Sequence, residues 1–486
     1  MEVRTRFAPS PTGYLHIGGL RTALYAYLYA KKNGGKFILR IEDTDQGRLV
    51  EEASEIIYHT LKDTGLYYDE GPDVGGEYGP YIQSQRKEIY QKYAEELVER
   101  GAAYYCFCTK ERLDGLRAEC EKNGQPFQYD KHCASLSKEE VQKRLDAGEP
   151  YVIRQNVPKE GESSYDDLVF GHISVPNQDM DDNILLKSDG MPTYNLANVV
   201  DDHLMKITHV IRGVEYLSST PKYNLLYDAL GWERPAYIHL PVVMRDKHNK
   251  LSKRHGDASY EDFIQKGYLK EAIINYIALL GWSEGGEQEI FSLKELEEKF
   301  DLKGLSKSPA IFDVEKLTWM NGEYIRALSP EEFLERAMPY LKKTLKREFD
   351  LQLICKMIQP RLETLTQIEE KLSFLNEMPD YSIDLFNHKK MKSTPQTSLP
   401  CLKAAKEMLE GMDGYTEEEL YDALVKLAET LGVKNGQVLW PVRIGISGLS
   451  VTPGGATELI MLLGKEETLR RMEKSIQKLE NELEKA

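Results

Sequence analysis

The spacing of apolar and polar residues predicts alternating strands and helices near the N-terminus. Residues 3–8 alternate and lead into a proline, as a strand entering a loop does. Apolar residues then recur at helical spacing over 20–30, and Asn33-Gly34-Gly35 is a typical helix stop. A second strand over 37–41 and a second helix over 51–62 follow. This order favours a parallel, doubly wound sheet, which binds ligands at the carboxyl ends of its strands.

Further along the chain the same patterns predict mixed structure and then helices. The predicted features are a hairpin turn at 161–164, a strand over 207–211, a helix starting at 218–221, a strand over 237–244 and a helix over 272–280. A turn is expected at 319–322, and only helices are expected after about 325. The apolar residues that share one face of the last helix are Met472, Ile476, Leu479 and Leu483.

Two short polar stretches, each after a predicted strand, introduce candidate chemistry. The first, Ser10 to Gly19, predicts a tight loop that opens a helix. A helix N-terminus offers unpaired backbone N–H groups and the positive end of a dipole. The second, Lys250 to Arg254, places three cations and a hydroxyl within five residues. Together the two stretches predict a triphosphate site.

Composition limits the class of protein. A chain of 486 residues is too long for one core and predicts three or more domains. The net charge of −16 argues against a protein that coats nucleic acid, but basic clusters at 342–343, 346–347 and 389–392 leave local RNA contacts open. Each cluster is equally compatible with a solvated helix or loop face. The sequence contains neither an apolar run of about 18 residues nor an apolar leader, so we expect a cytoplasmic protein without a membrane span.

The cysteines suggest a metal site. Four of the six, Cys106, Cys108, Cys120 and Cys133, fall within 28 residues. In a cytoplasmic chain such a cluster favours a metal over disulfides. Reduced thiols that bind no metal are the alternative.

The polar motifs resemble those of one enzyme family. Arg6 to Gly13, followed by His16-Ile17-Gly18-Gly19, is similar to the HIGH motif of class I aminoacyl-tRNA synthetases, and Lys250 to Arg254 is similar to their KMSKS loop. Ser10-Pro11-Thr12-Gly13, with the segments 40–45 and 188–203, resembles the bacterial-type glutamyl-tRNA synthetases. Gly19 replaces the second histidine of the general motif, a position where the glutamate-specific branch often tolerates small residues.

This resemblance implies a Rossmann-like α/β catalytic domain with an inserted acceptor-binding domain, followed by an all-α stem-contact and anticodon-binding region. The expected divisions are 1–85 and 186–255 for the two catalytic halves, 86–185 for the insert with its zinc knuckle, 256–325 for stem contact and 326–486 for anticodon binding. A helical C-terminal region fits the bacterial glutamyl enzymes, because glutaminyl and archaeal-type glutamyl enzymes use β-barrels there.

The implied reaction joins L-glutamate to the 3′ end of tRNA(Glu) through a glutamyl-adenylate, with ATP and Mg²⁺. The resemblance assigns catalytic roles to His16, Gly18, Lys250, Lys253 and Arg254, and ATP binding to His16, Gly18, Gly19 and Lys253. Lys253, assisted by its two basic neighbours, would neutralise the leaving pyrophosphate. His16 would donate to phosphate oxygens, and Gly18 would let the nucleotide approach the backbone.

The same resemblance assigns the glutamate pocket to Arg6, Ala8, Ser10, Glu42, Tyr194, Asn198 and Arg212. Arg6 and Arg212 would bind the side-chain carboxylate of the substrate, and Glu42 would bind its amino group. A structural ion pair is the alternative for Arg212. Asp201, Asp202 and His203 are interpreted as a loop-capping cluster, with a metal site as the alternative.

Two further sites follow from the resemblance. Zinc would be held by Cys106, Cys108, Tyr129 and Cys133, with Cys120 and His132 as rival fourth ligands. Arg361 would read the anticodon and reject the glutamine tRNA, unless it forms a surface salt bridge instead.

The expected partners are tRNA(Glu), L-glutamate and no membrane, and the expected oligomeric state is a monomer. Charging of tRNA(Gln) as well stays open. Two rival functions are a glutaminyl enzyme and a non-catalytic, tRNA-binding regulatory paralogue. The helical C-terminal region argues against the first. The full set of His16, Glu42, Arg212 and Lys253 argues against the second.

Overall fold

The computed structural model describes residues 2–45, 47, 50, 52–251 and 259–485. Lys253 and Arg254 therefore lie outside the described residues, whereas Lys250 lies inside them. The chain divides into two compact units. One comprises 1–263 and 273–314, and the other comprises 264–272 and 315–486. The finer five-part division expected from the sequence stays a prediction.

All the described strands belong to the first unit. They are β1 (Arg4–Phe7), β2 (Lys36–Leu39), β3 (Ala103–Cys106), β4 (Val152–Gln155), β5 (Glu162–Asp167), β6 (Gly171–Pro176), β7 (Ile184–Leu186), β8 (His209–Gly213), β9 (Ala236–Leu240), β10 (Val243–Met244) and β11 (Ala310–Ile311). β1 pairs with β2, β8 with β9, and β10 with β11, all in parallel. The antiparallel pairs are β3 with β4, β4 with β7, and β5 with β6.

The helices of the N-terminal part lie between these strands in the chain, singly or in groups. They are α1 (Ile17–Lys32), α2 (Ala53–Asp63), α3 (Lys87–Glu99), α4 (Lys110–Lys122), α5 (Lys138–Asp146), α6 (Tyr194–Leu204), α7 (Thr220–Leu230), α8 (Tyr260–Gln265), α9 (Lys270–Ala278) and α10 (Leu293–Lys299). The order β1, α1, β2, α2 is the predicted one, and the parallel pairing of β1 with β2 confirms the α/β interpretation.

β1 also lies beside β8. The backbone N–H of Thr208, just before β8, donates to the carbonyl oxygen of Arg4 over 2.9 Å. The carboxyl ends of β1, β2 and β8 therefore meet at one edge of the catalytic core, and polar residues follow each of them. This is the edge where a doubly wound fold binds its ligands.

The C-terminal part is helical, as predicted. Its helices are α11 (Val314–Ala327), α12 (Pro330–Thr344), α13 (Leu351–Ile358), α14 (Gln367–Leu372), α15 (Pro395–Glu410), α16 (Glu417–Thr430), α17 (Gly436–Ser447), α18 (Ala456–Leu463) and α19 (Lys465–Leu483). The described residues after 325 form no strand. On α19, Met472, Ile476 and Leu479 are buried, whereas Leu483 at the helix end is partly exposed. Across the described ranges, every helix is too short or too polar to cross a membrane.

The hairpin turn was predicted in the wrong place. Residues 162–164 already belong to β5, and the turn lies between Asp167 and Gly171. Asp167 Oδ1 accepts hydrogen bonds from the backbone N–H groups of Val169 (2.9 Å) and Phe170 (2.8 Å). Gly171 then adopts a φ of 84°, which glycine tolerates. An aspartate that binds the backbone two residues on is a turn signal in its own right.

The turn predicted at 319–322 is also wrong, because these residues lie inside α11. The buried Asn321 uses its side chain for tertiary hydrogen bonds instead of a turn. Its Oδ1 accepts from the backbone N–H of Leu269 over 2.8 Å, and its Nδ2 donates to the carbonyl oxygen of Glu363 over 2.5 Å. Tertiary partners thus keep the helix continuous through an Asn-Gly pair.

Candidate active site and metal centre

A cavity of about 680 Å³ opens at the carboxyl ends of β1, β2 and β8. Its walls consist of Arg6, Phe7, Ala8, Ser10, Pro11, Thr12, Thr22, Glu42, Thr44, Asp45, Lys187, Pro192, Thr193, Tyr194, Ile211, Arg212 and Tyr216. All the predicted glutamate-binding residues except Asn198 are in this set. Asn198 is buried on α6, and its Nδ2 donates to the carbonyl oxygens of Tyr194 and Asn195. The prediction that Asn198 lines the pocket is therefore not supported, because its amide serves the helix.

Arg212 is a buried cation with only neutral partners among the described residues. Its Nε donates to His239 Nε2 (3.2 Å), its Nη1 to the Tyr194 hydroxyl (3.2 Å) and its Nη2 to Thr220 Oγ1 (2.6 Å). The described part of the chain places no carboxylate in ion-pair contact with it, so the structural ion pair considered from the sequence is absent there. A guanidinium has further N–H groups, and Arg212 lies in the cavity wall.

Aromatic rings surround the same guanidinium. Its central carbon lies 5.0 Å from the ring centre of Tyr216, 5.2 Å from Tyr223 and 5.5 Å from Tyr237. Burial lowers the pKa of Arg212, but the neighbouring tyrosines raise it and the net shift is upward. The side chain therefore stays charged, and a carboxylate that entered the cavity would meet a strong, fixed charge partner.

Arg6, in contrast, already has an acidic partner. Its Nε and Nη2 donate to the two carboxylate oxygens of Asp202 over 3.0 and 3.3 Å. Arg40 donates to Asp202 Oδ1 (2.8 Å) and to Glu42 Oε1 (3.0 Å). These four side chains balance one another, so among the arginines of the cavity wall it is Arg212 whose charge is left over. Arg6 lines the cavity as predicted, but its charge is largely compensated.

Glu42 is a buried carboxylate of the cavity wall that could take an ammonium group. Burial raises its pKa, and the nearby guanidinium groups of Arg40 and Arg6 partly oppose that shift. Arg40 donates to Glu42 Oε1 over 3.0 Å, which holds the carboxylate in a defined orientation. A substrate amino group would add a second cationic partner.

Asp201 and Asp202 are not a loop-capping cluster, because both are buried inside α6. Asp201 accepts hydrogen bonds from Gln83 Nε2 (2.9 Å), Arg86 Nε (2.8 Å) and the Tyr90 hydroxyl (2.8 Å). Burial raises the pKa of Asp202, but Arg6 and Arg40 lower it more and the net shift is downward. The arginines explain how a helix can bury two adjacent carboxylates. His203 instead stacks on Trp232, with ring centres 3.8 Å apart.

His16 caps the N-terminus of α1. Its Nδ1 accepts the backbone N–H of Gly18 over 3.0 Å, so the proton of the neutral ring is on Nε2 and makes that nitrogen a donor. A Cβ at Gly18 would lie 3.3 Å from His16 Nδ1, so the glycine also leaves room for this cap. Neither His16 nor the two glycines belong to the described cavity wall, but Thr22, one turn further along α1, does.

Lys250 is exposed and lies six residues after β10; the single strand predicted over 237–244 is two strands, β9 and β10, in the structure. Lys250 is paired in antiparallel fashion with Met244, and the backbone N–H of Leu251 donates to the carbonyl oxygen of Val243 over 3.1 Å. The start of the basic stretch is thus tied to β10.

Three of the predicted metal ligands converge at the end of β3. The sulfur atoms of Cys106, Cys108 and Cys133 all lie within 4.8 Å of one another, and those of Cys108 and Cys133 are 3.6 Å apart. The Tyr129 hydroxyl lies 3.4 Å from Cys106 Sγ and 3.2 Å from Cys108 Sγ. Tetrahedral zinc with Zn–S bonds of about 2.3 Å needs sulfur atoms about 3.8 Å apart, so these residues fit the metal. Neither rival ligand, Cys120 or His132, belongs to the cluster that the described residues form.

Two arginines face the sulfur atoms. Arg154 Nε donates to Cys106 Sγ over 3.4 Å, and Arg112 Nη1 donates to Cys108 Sγ over 3.6 Å. Hydrogen bonds from Cys133, Tyr129 and Arg154 lower the pKa of Cys106 to about 4, against the opposing effect of burial. The environment thus favours the thiolate of Cys106, the form that binds zinc, whereas the hydrogen bond to Cys106 and burial raise the pKa of Cys133.

Comparison with known proteins places the chain in a family. Residues 2–319 match the family described as tRNA synthetases class I (E and Q), catalytic domain, and residues 332–476 match the anticodon binding domain family. The glutamate–tRNA ligase of Clostridium tetani (strain Massachusetts / E88) is 58% identical over 482 residues, which cover 99% of this chain and 99% of the relative. That of Clostridium botulinum (strain Eklund 17B / Type B) is 60% identical over 480 residues, which cover 98% and 99%. The chain belongs to the glutamate–tRNA ligases, a family of class I tRNA synthetases.

A solved structure agrees with this placement. The crystal structure of a glutamate tRNA ligase from Elizabethkingia meningosepticum in complex with its amino acid superposes with a TM-score of 0.91 at 38% identity, covering 99% of this chain and 100% of that one. Membership of the glutamate–tRNA ligases confirms the family and the fold class that the sequence motifs predicted. It also accounts for the helical C-terminal part, much of which matches an anticodon binding domain.

Arg361 is the predicted anticodon reader of this ligase fold. It ends a short 3₁₀ segment, Gln359–Arg361, and is exposed. Its Nη1 donates to the carbonyl oxygen of Met357 over 2.6 Å. The described residues offer it no ion-pair partner, which removes the surface salt bridge considered from the sequence.

Sequence reasoning missed several residues around the cavity. Thr22, Lys187 and Tyr216 line it, and Asp167, Thr220 and His239 lie behind Arg212. Tyr216 and Lys187 could have been found, because each follows a strand end close to a residue already identified. No local sequence pattern identifies Asp167 and His239, because strand pairing is what brings them close to Arg212.

Proposed function

We propose that this chain ligates L-glutamate to the 3′ end of tRNA(Glu) in two steps. The substrate carboxylate attacks the α-phosphate of ATP, pyrophosphate leaves, and the glutamyl group then passes from AMP to the terminal ribose of the tRNA. The observation that carries the amino-acid assignment is the buried guanidinium of Arg212, which has aromatic and neutral polar neighbours and lines the cavity. A side-chain carboxylate is the ligand that such a site is built to hold.

In this proposal Arg212 holds the side-chain carboxylate of glutamate and Glu42 holds its amino group. Tyr194 and Ser10 supply neutral polar contacts, and Ala8 keeps the wall small. Arg6 contributes through its contact with Asp202, which fixes the floor of the cavity. Glutamine lacks the negative charge, so it would leave Arg212 without a charge partner.

The ATP phosphates would lie against the N-terminus of α1. His16 would donate from Nε2, and Gly18 and Gly19 would give the nucleotide access to the backbone. Lys250, Lys253 and Arg254 would neutralise the pyrophosphate as it leaves. Mg²⁺ bound through the phosphates would offset their charge. No side chain forms a covalent bond to the substrate, so positioning and electrostatics provide the catalysis.

We further propose that Cys106, Cys108, Tyr129 and Cys133 bind a structural zinc ion. The sulfur spacing and the nearby phenol support this set over one with Cys120 or His132. The metal would tie the end of β3 to the 3₁₀ turn His132–Ser135.

The regulatory alternative, a paralogue that binds tRNA without catalysis, is disfavoured by the site itself. Such a protein has no need for a guanidinium buried beside an open cavity, because an unsatisfied buried charge costs stability. A monomer and a cytoplasmic location remain our expectations for the ligase.

The test is aminoacylation with labelled glutamate on purified tRNA(Glu) and tRNA(Gln) in parallel, with ATP–pyrophosphate exchange as a second readout. We expect charging of tRNA(Glu) and, through Arg361, weak charging of tRNA(Gln). Equal charging of both would keep the ligase and remove the proposed role of Arg361. Charging of neither, together with retained tRNA binding, would support the regulatory paralogue.

A further inference from the structure

We propose that His239 and Asp167 are positioning residues that orient the Arg212 guanidinium for the substrate carboxylate. This inference rests on the proposed function, because it assigns the support of the residue that we place on the side chain of glutamate. The three side chains form a buried chain of hydrogen bonds that ends at the cavity wall, with exposed fractions of 3% for Asp167, 0% for His239 and 5% for Arg212.

The backbone brings the three residues together from separate strands. Arg212 on β8 is directly opposite His239 on the parallel strand β9. Asp167 ends β5, which pairs with the other edge of β9 through Tyr237. Three neighbouring strands therefore each contribute one member, and the order Asp167, His239, Arg212 follows the order of the strands in the sheet.

The hydrogen bonds fix the proton on the imidazole. Asp167 Oδ2 lies 2.7 Å from His239 Nδ1 and also accepts the backbone N–H of His239 over 3.1 Å. A carboxylate accepts, so the proton is on Nδ1. The lone pair of Nε2 is then left to accept the N–H of Arg212 Nε over 3.2 Å. A neutral histidine in this tautomer accepts the hydrogen bond from Arg212. A protonated ring would instead place its own Nε2–H against the Nε–H of Arg212.

The charges around the ring favour the same state. Burial lowers the pKa of His239, and the facing Arg212 lowers it further, while Asp167 raises it; the net shift is downward. The neutral Thr220 hydroxyl, 3.3 Å from Nε2, and the rings of Tyr165 and Tyr237 also lie against the imidazole, and the carboxylate of Glu215 raises its pKa without reversing the net shift. His239 thus behaves as a neutral acceptor aimed at Arg212.

This support holds one edge of the guanidinium. Nε is bound to His239, and Nη2 is bound to Thr220 Oγ1, whose own proton goes to the carbonyl oxygen of Tyr216 over 2.7 Å. With that edge fixed, the other edge is oriented for a ligand in the cavity. A planar fork that cannot rotate binds a carboxylate with less entropic cost than a free one.

Asp167 is itself held at both oxygens. Its Oδ1 accepts the two backbone N–H groups of the β5–β6 turn, and its Oδ2 accepts from His239. The turn therefore sets the position of the carboxylate, the carboxylate sets the tautomer of the ring, and the ring sets Arg212. A packing role alone would not require this alternation of donors and acceptors.

Two substitutions at one position separate positioning from packing. His239→Gln places an amide oxygen near the position of Nε2 and can still accept from Arg212. His239→Asn keeps a donor for Asp167 but is too short to reach Arg212. We expect His239→Asn to raise the KM for glutamate about tenfold with little change in the KM for ATP, and His239→Gln to stay within about threefold of the parent. His209→Asn, on β8 but outside the described cavity wall, is the control for loss of a histidine from this sheet, although His209 is half-buried and His239 is fully buried.

A double-mutant cycle keeps the test decisive if His239→Asn folds poorly. Asp167→Asn can donate to His239 Nδ1 and so permit the wrong tautomer, and we expect it to raise the KM for glutamate in the parent enzyme. A glutamine side chain has no alternative tautomer, so in the His239→Gln background Asp167→Asn should change the KM for glutamate little. An equal effect in both backgrounds, or equal KM values for the Gln and Asn variants, would overturn the proposal. Failure of the proposed function would look different, since the unmodified enzyme would then charge no glutamate.

Discussion

Arg40 Nη1 and Asp202 Oδ1 lie 2.8 Å apart, and both side chains are buried beneath the cavity. Asp202 also binds Arg6, and Arg40 also binds Glu42, so two guanidinium groups and two carboxylates neutralise one another. Burial lowers the pKa of Arg40, but the carboxylates of Asp202, Glu42 and Asp201 raise it by more, so the net shift is upward. Because these charges compensate one another, the residues beneath the cavity are polar but nearly neutral, whereas the charge of Arg212 remains available to a ligand.

Removal of one member of this group should be costly. Asp202→Asn removes the carboxylate that Arg6 and Arg40 share and leaves Arg40 with Glu42 and Asp201 as its remaining carboxylate neighbours. We expect the catalytic unit to lose about 3–5 kcal/mol of unfolding free energy, as is typical when one partner of a buried ion pair is removed. Hydrogen–deuterium exchange across α6 measures the loss locally. Asp228→Asn is the control, because Asp228 pairs with Arg234 near the surface; similar losses in both variants would contradict the central role of Asp202.

Arg212→Lys should separate charge from geometry. Lysine keeps a positive charge but loses the fork and the hydrogen bonds to His239 and Thr220. We expect the KM for glutamate to rise about 10- to 100-fold, corresponding to about 1.5–3 kcal/mol for a charged hydrogen bond, with the KM for ATP nearly unchanged. Steady-state ATP–pyrophosphate exchange at varied glutamate measures this. Arg234→Lys is the matched control, and the assignment fails if the two variants show the same KM for glutamate.

Arg361→Ala tests the anticodon proposal. The guanidinium is exposed and lacks an ion-pair partner among the described residues, so its loss should leave the fold intact. We expect the preference for tRNA(Glu) over tRNA(Gln) to fall about tenfold, within the range of about 1–3 kcal/mol for one bidentate base contact. Competitive aminoacylation of the two tRNAs measures the ratio. Arg326→Ala, which removes another exposed arginine of the helical unit, should leave the ratio unchanged.

Loss of zinc should depend on which cysteine is removed. Cys108→Ser should abolish retention of the metal, because Cys108 lies within 3.6 Å of both Cys133 Sγ and the Tyr129 hydroxyl. Cys120→Ser should retain about one zinc per chain, since Cys120 is not in the cluster. Atomic absorption on purified protein gives the stoichiometry. Tyr129→Phe should release zinc to a chelator about tenfold faster, and an unchanged rate would mean that the phenol is not the fourth ligand.

The sequence predicts most of the cavity through its resemblance to the motifs of the family. That resemblance assigns Arg6, Ser10, Glu42 and Arg212 to the glutamate pocket, and each of them lines the cavity. The order of strands and helices in the catalytic core follows from apolar spacing and from glycine stops, which are local signals.

What could not be predicted depends on partners that are distant in the chain. Asp202 looks like a capping residue until Arg6 and Arg40 are placed beside it. Asn321 looks like part of a turn until the backbone of Leu269 and Glu363 supplies its hydrogen bonds. His239 is an ordinary strand residue until strand pairing sets it opposite Arg212. In each case, tertiary contacts decide between local alternatives that the sequence leaves open.

Stability should fall as the pH decreases below neutrality, because three histidines have lowered pKa values. Burial lowers the pKa of His203 from 6.5 to about 4, with a contribution from Lys206, and burial also lowers the pKa values of His209 and His239. The unfolded chain then binds more protons than the folded one below pH 6.5. The histidine contribution is therefore fully present above pH 6.5 and is lost as the pH falls towards about 4.

His203→Gln should flatten this dependence between pH 6.5 and 4, the range that its shift sets. The unfolding free energy of the catalytic unit, measured by hydrogen exchange at several pH values, gives the slope for variant and parent. Glu42, whose pKa burial raises, acts in the opposite direction, but it contributes equally to both proteins and cancels in the comparison. His172→Gln at an exposed position is the control. If His203→Gln and His172→Gln had the same slope, the stacked His203–Trp232 pair would not be a source of the acid sensitivity.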